Sequence, residues 1–302
     1  MSKHFTVLKK ETIDFLNPHD DGIYVDATFG SGGHSFEIVS RVDSKVIAFE
    51  VHEPSIVDFQ SKDHTLKSKI CLINRNFSEI KNVLRELQIN LIDGLVADLG
   101  WSLDQLESVQ GLSYQKLNDD LDMRLNSNLL VCARDILNAA SKDELSEIFA
   151  RYADFFGKDN SILVQTIRNF RSNRLFLHVR DLVQVCDRAF NLKEIKSKSR
   201  RHNIYARVFQ ALRVKVNEEY ENLEKLLVDS LEFLKSGSRV CVISFHSGEE
   251  KIVKSFLDRY TRKNQVSVIS KSSDGIFLRP SVDELIQNLR SRSAKLFVYE
   301  KL

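Results

Sequence analysis

The chain has 302 residues, a net charge of only +2, 42% hydrophobic residues and 28% charged residues. This composition is ordinary for a folded globular protein and excludes long disordered stretches. No apolar run approaches the roughly 18 residues that span a bilayer, and acidic residues near the start are unlike a signal peptide. The four cysteines lack C-x-x-C spacing, so neither a disulfide framework nor a metal site is predicted. We expect a cytoplasmic protein with no membrane partner.

Short β-branched runs alternate with helical patterns in the first third of the chain, which is typical of a parallel sheet covered on both faces. These runs are IYVDATF, KVIAFE, CLIN and DGLVADLG. Helical periodicity then extends from about Leu112 to Arg201, and strand patterns return at SRVCVISF, QVSVIS and AKLFVYEKL. We therefore predict an α/β fold, with a doubly wound sheet domain at residues 1–110 and 205–302 and a helical insertion at residues 111–204.

Three glycines follow the first predicted strand, in the segment FGSGGHS at residues 29–35. In open α/β sheets, ligands bind beyond the carboxyl ends of the strands, where glycines allow close approach to the backbone. The segment lacks both G-x-G-x-x-G and the Lys-Ser/Thr pair of a P-loop, which disfavours a dinucleotide or a triphosphate. Glu50 ends the next strand about 20 residues later, where a carboxylate can bind the hydroxyls of a ribose. We expect S-adenosylmethionine as cofactor, although a tight turn without a ligand and a solvated Glu50 are the simpler alternatives.

Seven ordered motifs resemble those of the bacterial small-subunit ribosomal RNA cytosine-N4 methyltransferase family, over nearly the full length of the chain. They are HFTVLKKE, VDATFGSGGHS, DGLVADLGWSLDQLE, GLSYQ with LDMRL, FQALRVKVNEE, VISFHSGEEKIVK and RSRSAKL. The resemblance implies a Rossmann-like class I methyltransferase fold and S-adenosylmethionine as methyl donor. It also implies a cytosine of the decoding centre as substrate, in free RNA or in a 30S-type particle.

The resemblance assigns cofactor contacts by position to Gly32, Gly33, His34, Glu50, Phe77, Asp98 and Gln105. The glycines and His34 would line the methionine end of the cofactor, Glu50 would hold the ribose, and Phe77 would lie near the adenine.

The chain departs from the family pattern at several positions. Glu50 stands where the family has Asp, and His52 and Glu53 stand where it has a second Asp and a Pro. The segment NIYAR, which ends at Arg207, replaces H-P-A-T-R, and Leu103 replaces a second Ser. Since Glu keeps the charge and reaches farther than Asp, we expect ribose binding to survive.

Methyl transfer from a sulfonium to an exocyclic amine depends on alignment and on exclusion of water. We expect Asp98, at the end of the fourth strand, to accept an N–H hydrogen bond from the amine. The base must first be splayed out of the RNA, and we assign that task to Tyr114, Asp122, Arg124, Ser244 and His246. The simpler alternatives are a core position for Tyr114, mutual pairing of Asp122 with Arg124, and a structural role for His246.

Basic residues concentrate at residues 168–180, 193–202 and 289–295. Such clusters supply phosphate contacts, which give affinity with little sequence information. We assign RNA contacts to Arg207, Arg292 and Lys295. A charge run can equally be a solvated face, and Phe170 and Phe176 are expected on the buried side of a helix.

The predicted function is methylation of the N4 amine of a cytosine in small-subunit ribosomal RNA. Two alternatives remain open at this point. The first is a silent RNA-binding or ribosome-assembly factor that keeps the fold, and the altered NIYAR and VHEP segments favour it. The second is an amino-methyltransferase acting on another RNA or on protein.

Overall fold

The computed structural model describes residues 6–61, 65–101 and 103–302. The chain divides into two compact units. The sheet unit comprises Met1–Ser102 and Tyr220–Leu302, and the helical unit comprises Leu103–Glu219. The helical unit is longer at both ends than the predicted insertion, because a short helix opens it and a 20-residue helix runs through residue 204.

The sheet unit contains one seven-stranded sheet. Its strands are β1 (Ile23–Asp26), β2 (Lys45–Phe49), β3 (Ile70–Ile73), β4 (Ile92–Asp98), β5 (Leu234–Ser244), β6 (Val266–Val268) and β7 (Lys295–Lys301). They lie in the order β3-β2-β1-β4-β5-β7-β6. The first five pair in parallel, whereas β7 runs antiparallel to both β5 and β6. This topology confirms the predicted doubly wound, Rossmann-like class I methyltransferase fold.

The central residues of most strands are apolar and buried, as expected when both faces of a sheet are covered. Successive side chains point to opposite faces. Val25 and Ile47 therefore belong to one hydrophobic core, while Tyr24 and Val46 belong to the other.

The sheet unit also contains α1 (Lys9–Leu16), α2 (Gly33–Arg41), α3 (Glu53–Ser61), α4 (Ile80–Glu86), α12 (Ser247–Arg262) and α13 (Val282–Gln287), together with nearly all of α11 (Glu219–Ser230). The buried faces of most of these helices contribute further residues to the two cores, such as Ile38 of α2 on one side and Leu84 of α4 on the other.

The helical unit contains α5 (Leu103–Ser108), α6 (Ala133–Ala139), α7 (Lys142–Ala153), α8 (Gly157–Arg171), α9 (Val179–Phe190) and α10 (Lys198–Asn217). The start of α7 is fixed by a capping box, in which Ser141 and Glu144 exchange backbone-to-side-chain hydrogen bonds of 2.6 and 3.2 Å. Phe170 of α8 and Phe176 are buried, with ring centroids 4.5 Å apart, as the sequence predicted, but Phe176 lies between α8 and α9 rather than on a helix.

In the described part of the chain, no helix is both long and apolar enough to cross a membrane.

Candidate active site

Five parallel strands of the sheet unit end at one edge of the sheet, and predicted site residues follow each of them. Because the strand order is β3-β2-β1-β4-β5, the segments after these strands lie side by side in that order. The order of the strands along the chain reverses between β1 and β4, where ligands of open α/β sheets bind. Antiparallel β7 begins at this edge, since Lys295 pairs with Ser244 at the end of β5.

The glycine loop connects β1 to α2 at the centre of this edge. Gly32 has a φ of +84° and forms the N-cap of α2. A Cβ atom there would lie 2.8 Å from the rings of Phe29 and Phe36, so both the backbone conformation and the space require glycine. At Gly33 a Cβ atom would lie 1.8 Å from Oγ1 of Thr6. Glycine is therefore required at both positions by close packing against the protein's own side chains.

Asp26, the last residue of β1, holds this loop in place and was not among the predicted site residues. Its carboxylate accepts hydrogen bonds from Ser35 Oγ at 2.6 Å and from Thr28 N–H at 3.1 Å. The side chain is buried, and that burial raises its pKa above the usual range. The sequence signal was available, because an Asp side chain commonly accepts the N–H group of the residue two positions later, which here is Thr28.

Glu50 follows β2 and is buried. Oε2 accepts the N–H of Gly30 at 2.8 Å, and Oε1 accepts the N–H groups of Val51 and His52 at 2.9 and 2.8 Å. Burial raises the pKa of Glu50, although these three hydrogen bonds oppose the shift. A carboxylate has about four acceptor positions. Glu50 therefore retains capacity for a ribose hydroxyl while it ties the glycine loop to β2.

Asp98 and His34 face each other across the centre of the site. Asp98 Oδ2 lies 3.6 Å from His34 Nε2. Within the described residues, neither ring nitrogen of His34 nor Oδ1 of Asp98 has a hydrogen-bond partner, and all three atoms are buried. The backbone N–H of Asp98 is fixed by Thr28 Oγ1 at 2.6 Å. Buried polar atoms without partners cost free energy, so these three atoms are candidates for contacts with a ligand.

Two further predicted cofactor residues lie in different units. Phe77 begins a 3₁₀ helix after β3 and packs partly buried against the core of the sheet unit. Gln105 belongs to α5 of the helical unit and is buried. Ser102, quoted in the fourth-strand motif, lies outside the described residues.

Ser244 and His246 lie at the end of β5. Ser244 is 1% exposed, and its Oγ has no hydrogen-bond partner among the described residues. His246 caps α12 and has Glu249 Oε1 2.9 Å from its Nε2. Tyr220 Oη lies 3.5 Å from His246 Nδ1. Glu249 and Tyr220 were not predicted as site residues, although the three-residue spacing from His246 to Glu249 is that of a capping box.

The segment Leu121–Arg124 of the helical unit holds the predicted Asp122 and Arg124. Their side chains form a two-pronged ion pair, with Nε to Oδ1 and Nη2 to Oδ2 both at 2.7 Å. Burial tends to raise the pKa of Asp122, but the hydrogen bonds from Arg124 outweigh it and the pKa lies below its usual range. The pairing foreseen as the simpler alternative is therefore present, and it fixes Asp122 as a carboxylate.

Asn217, at the end of α10, anchors this segment from the other side. Its Nδ2 donates to Met123 O and its Oδ1 accepts the N–H of Leu125, both at 2.8 Å. Met123 has a φ of +65°, which is rare for a residue with a side chain. Gly111 packs so closely that a Cβ atom there would lie 2.6 Å from Asp120 O. These contacts join the segments GLSYQ, LDMRL and VNEE within the helical unit.

Tyr114 is half-buried and stacks on Tyr205, with ring centroids 5.3 Å apart and planes inclined by 23°. The ring of His202 lies 5.7 Å from it. Tyr205 donates a hydrogen bond to Asp187, and burial raises the pKa of its phenol. Tyr114, which was predicted to stack on a base, thus packs against aromatic side chains of α10.

The three arginine and lysine residues expected to contact RNA have different surroundings. Arg207 donates to Ala153 O at the end of α7 and lies 4.2 Å from the ring centroid of Phe155, so it caps that helix. Lys295 forms an ion pair with Glu250. Arg292 is exposed in the 3₁₀ helix Leu289–Ser293.

Comparison with known proteins agrees with this geometry. The sequence pattern of the MraW methylase family matches residues 1–302. A curated relative from Desulfotalea psychrophila, ribosomal RNA small subunit methyltransferase H, is 38% identical over 307 residues, covering 99% of this chain and 98% of its own. The protein of that name from Mycoplasma mycoides is 35% identical over 317 residues, covering all of both chains. The chain therefore belongs to the MraW methylase family.

Proposed function

We propose that the protein transfers a methyl group from S-adenosylmethionine to the N4 amine of a cytosine in small-subunit ribosomal RNA. The observation that carries the proposal is that buried polar atoms of His34, Asp98 and Ser244, at the carboxyl-end edge of the sheet, have no hydrogen-bond partner among the described residues. Family membership and the names of the relatives support the methyl donor and the class of RNA. The site of action would be the ribosome or a precursor of its small subunit in the cytoplasm.

The residues present fit this cofactor. Gly32 and Gly33, at the start of α2, would lie against the methionine portion, Glu50 would offer an acceptor to the ribose, and Phe77 would offer an aromatic surface to the adenine. When bound, S-adenosylmethionine supplies an electrophilic methyl group on a sulfonium.

Asp98 has the chemistry that the amine requires. Its Oδ1, which has no hydrogen-bond partner in the described part of the chain, can accept an N–H of the exocyclic amine, orient the nitrogen and favour a pyramidal geometry. Ser244 Oγ can donate to or accept from the base, and Glu249 restrains the ring of His246 beside it. In the helical unit, Asp122, Arg124 and Tyr114 remain our candidates for holding the base outside the RNA helix.

The first experiment is calorimetric titration of S-adenosylmethionine into the purified protein, with Asp98→Asn and Asp98→Ala as variants. We expect micromolar binding by the wild type, weaker binding by the Asn variant and none by the Ala variant, each with unchanged circular dichroism. No binding by a folded wild-type protein, alone or with RNA, would overturn the proposal in favour of a silent assembly factor.

The second experiment identifies the product. Small subunits purified without the modification are incubated with the protein and the cofactor, and the nucleosides are separated by mass spectrometry. We expect N4-methylcytidine with the wild type and none with Asp98→Ala. Methylation of another base or of a ribosomal protein would refute the proposed substrate.

A further inference from the structure

The basic residues at 168–180 are largely engaged within the protein. Arg171 donates to the carbonyls of Leu137 and Ala140 at 3.0 and 2.7 Å, which caps α6. Arg174 pairs with Asp181, and Arg180 donates to Asn118 at 3.0 Å. Most of this cluster therefore stabilises the helical unit.

The basic residues at 193–202 are used differently. Lys193, Lys196, Lys198 and Arg200 are exposed, and none forms an ion pair or side-chain hydrogen bond with any residue that the structure describes. Only one acidic residue, Glu194, lies in this stretch. The positive charge of this cluster is thus available to a partner.

The position of the cluster is unfavourable in the isolated protein. Lys198 and Arg200 lie in the first turn of α10, which contains no acidic residue. Cations near the positive end of a helix dipole destabilise the helix, most strongly at low ionic strength. A polyanion laid across the cluster would remove this repulsion.

Aromatic side chains border the same surface. His202 is half-buried one turn after Lys198, and its ring lies against Tyr114, which stacks on Tyr205. Cations that bind phosphates next to ring planes that accept bases are the usual composition of a single-stranded nucleic-acid surface. This combination favours RNA over an acidic protein segment as the partner.

We propose that residues 193–202, with Tyr114, form the main RNA-binding surface of the helical unit, where the four cations contact phosphates of single-stranded ribosomal RNA. This assignment rests on the proposed function. The two basic clusters thereby receive different roles: the cations at 193–202 contact RNA, whereas those at 168–180 stabilise the helical unit. A count of charges does not distinguish the two clusters.

The test compares two triple variants of the full-length protein that lose the same charge. Lys196→Ala, Lys198→Ala and Arg200→Ala remove the proposed contacts. Lys45→Ala, Lys142→Ala and Lys158→Ala remove three other exposed lysines. Binding of a fluorescent single-stranded RNA from the small-subunit decoding region is measured by anisotropy between 50 and 300 mM salt, and cofactor binding is measured by calorimetry.

For the first variant we expect RNA affinity to fall about tenfold or more at low salt, and the slope of log affinity against log salt to decrease by about 2, since each single-strand contact contributes about 0.7. Cofactor affinity should not change, and the control variant should bind RNA like the wild type. Equal losses in both variants, or an unchanged slope in the first, would overturn the assignment.

The proposed function can fail separately. If the wild type binds neither RNA nor small subunits, the function itself is refuted. If the wild type binds RNA and the first variant binds it equally well, only this surface is refuted. An acidic peptide can be added at the same concentration of charge as the RNA. If it competes with RNA for this surface, the partner is an acidic protein segment rather than RNA.

Discussion

Asp26 and Glu50 are both buried carboxylates that hold the glycine loop, and burial raises the pKa of each. They differ in their partners. Asp26 accepts one hydroxyl and one N–H, whereas Glu50 accepts three backbone N–H groups. Substitution by the corresponding amide should therefore have different effects at the two positions.

Asp26→Asn should change the pH dependence of stability. A raised pKa means that the folded protein binds the Asp26 proton more tightly than the unfolded chain does. The free energy of unfolding therefore decreases as the pH rises from about 3.9, the pKa of an unperturbed Asp, through the higher pKa of the folded state. The variant lacks this contribution. Urea unfolding across a pH series should show that the stability of the variant relative to the wild type increases with pH. A relative stability that decreases with pH would show that the ionised carboxylate is stabilising.

Glu50→Gln should weaken both the loop and cofactor binding. The amide NH₂ cannot accept the N–H groups that converge on the carboxylate, and a buried donor without an acceptor costs about 1–3 kcal/mol. We expect a lower melting temperature and a cofactor affinity reduced at least about tenfold, measured by calorimetry. Glu53→Gln, an exposed glutamate three residues later, is the matched control. Normal cofactor affinity in Glu50→Gln would exclude Glu50 from the pocket.

At the scale of elements, the end of α10 positions the segment Leu121–Arg124. Asn217→Ala removes two hydrogen bonds to the backbone beside the strained Met123. We expect faster hydrogen exchange at the Leu125 N–H. Turnover should fall about tenfold or more, because Asp122 and Arg124 would no longer be held in the correct orientation. Cofactor affinity should not change.

Asn217→Asp provides the control for this prediction. It retains an acceptor for the Leu125 N–H and loses the donor to Met123 O, so its turnover should be intermediate. If both variants turn over like the wild type, the segment does not need this support for catalysis.

The sequence predicted the elements well because each has a strong periodic signal. All seven predicted strands form, and the capping box of α7 forms as expected. The reversed direction of β7 was not predicted, since a run of apolar residues buried on both faces looks the same in either direction.

The partners of long charged side chains were harder to predict. Arg207 and Lys295 looked like RNA contacts, but the structure places carbonyls of α7 beside one and Glu250 beside the other. Their acceptors lie more than 40 residues away in sequence, and only the folded chain brings them together. Asn217 escaped notice for the same reason, since its acceptor Met123 O is 94 residues away.

At the scale of the whole molecule, a net charge of +2 conceals an uneven distribution. Many surface cations are paired with nearby carboxylates, as Arg85 is with Glu232 and Arg41 is with Asp14. Affinity for a polyanion therefore depends on the location of unpaired cations rather than on the total charge.

Binding of S-adenosylmethionine should stabilise the sheet unit. At a free cofactor concentration 100 times its Kd, linkage adds about 2.7 kcal/mol to the free energy of unfolding. For a unit of this size, that corresponds to an increase in Tm of about 5–10 °C. Differential scanning calorimetry should show the increase in the wild type and not in Asp98→Ala. An equal increase in both would mean that the cofactor binds elsewhere.

The place of β7 between β5 and β6 has a consequence for synthesis. β7 follows every other strand in sequence, yet it lies inside the sheet and pairs with Ser244 at the site. A nascent chain cannot dock β6 until β7 has left the ribosomal tunnel, and until then the edge of β5 is an open template for aggregation. A chain that stops before residue 295 would therefore tend to aggregate and would lack the strand that pairs with Ser244. Activity in this fold is thus conditional on translation of the final strand.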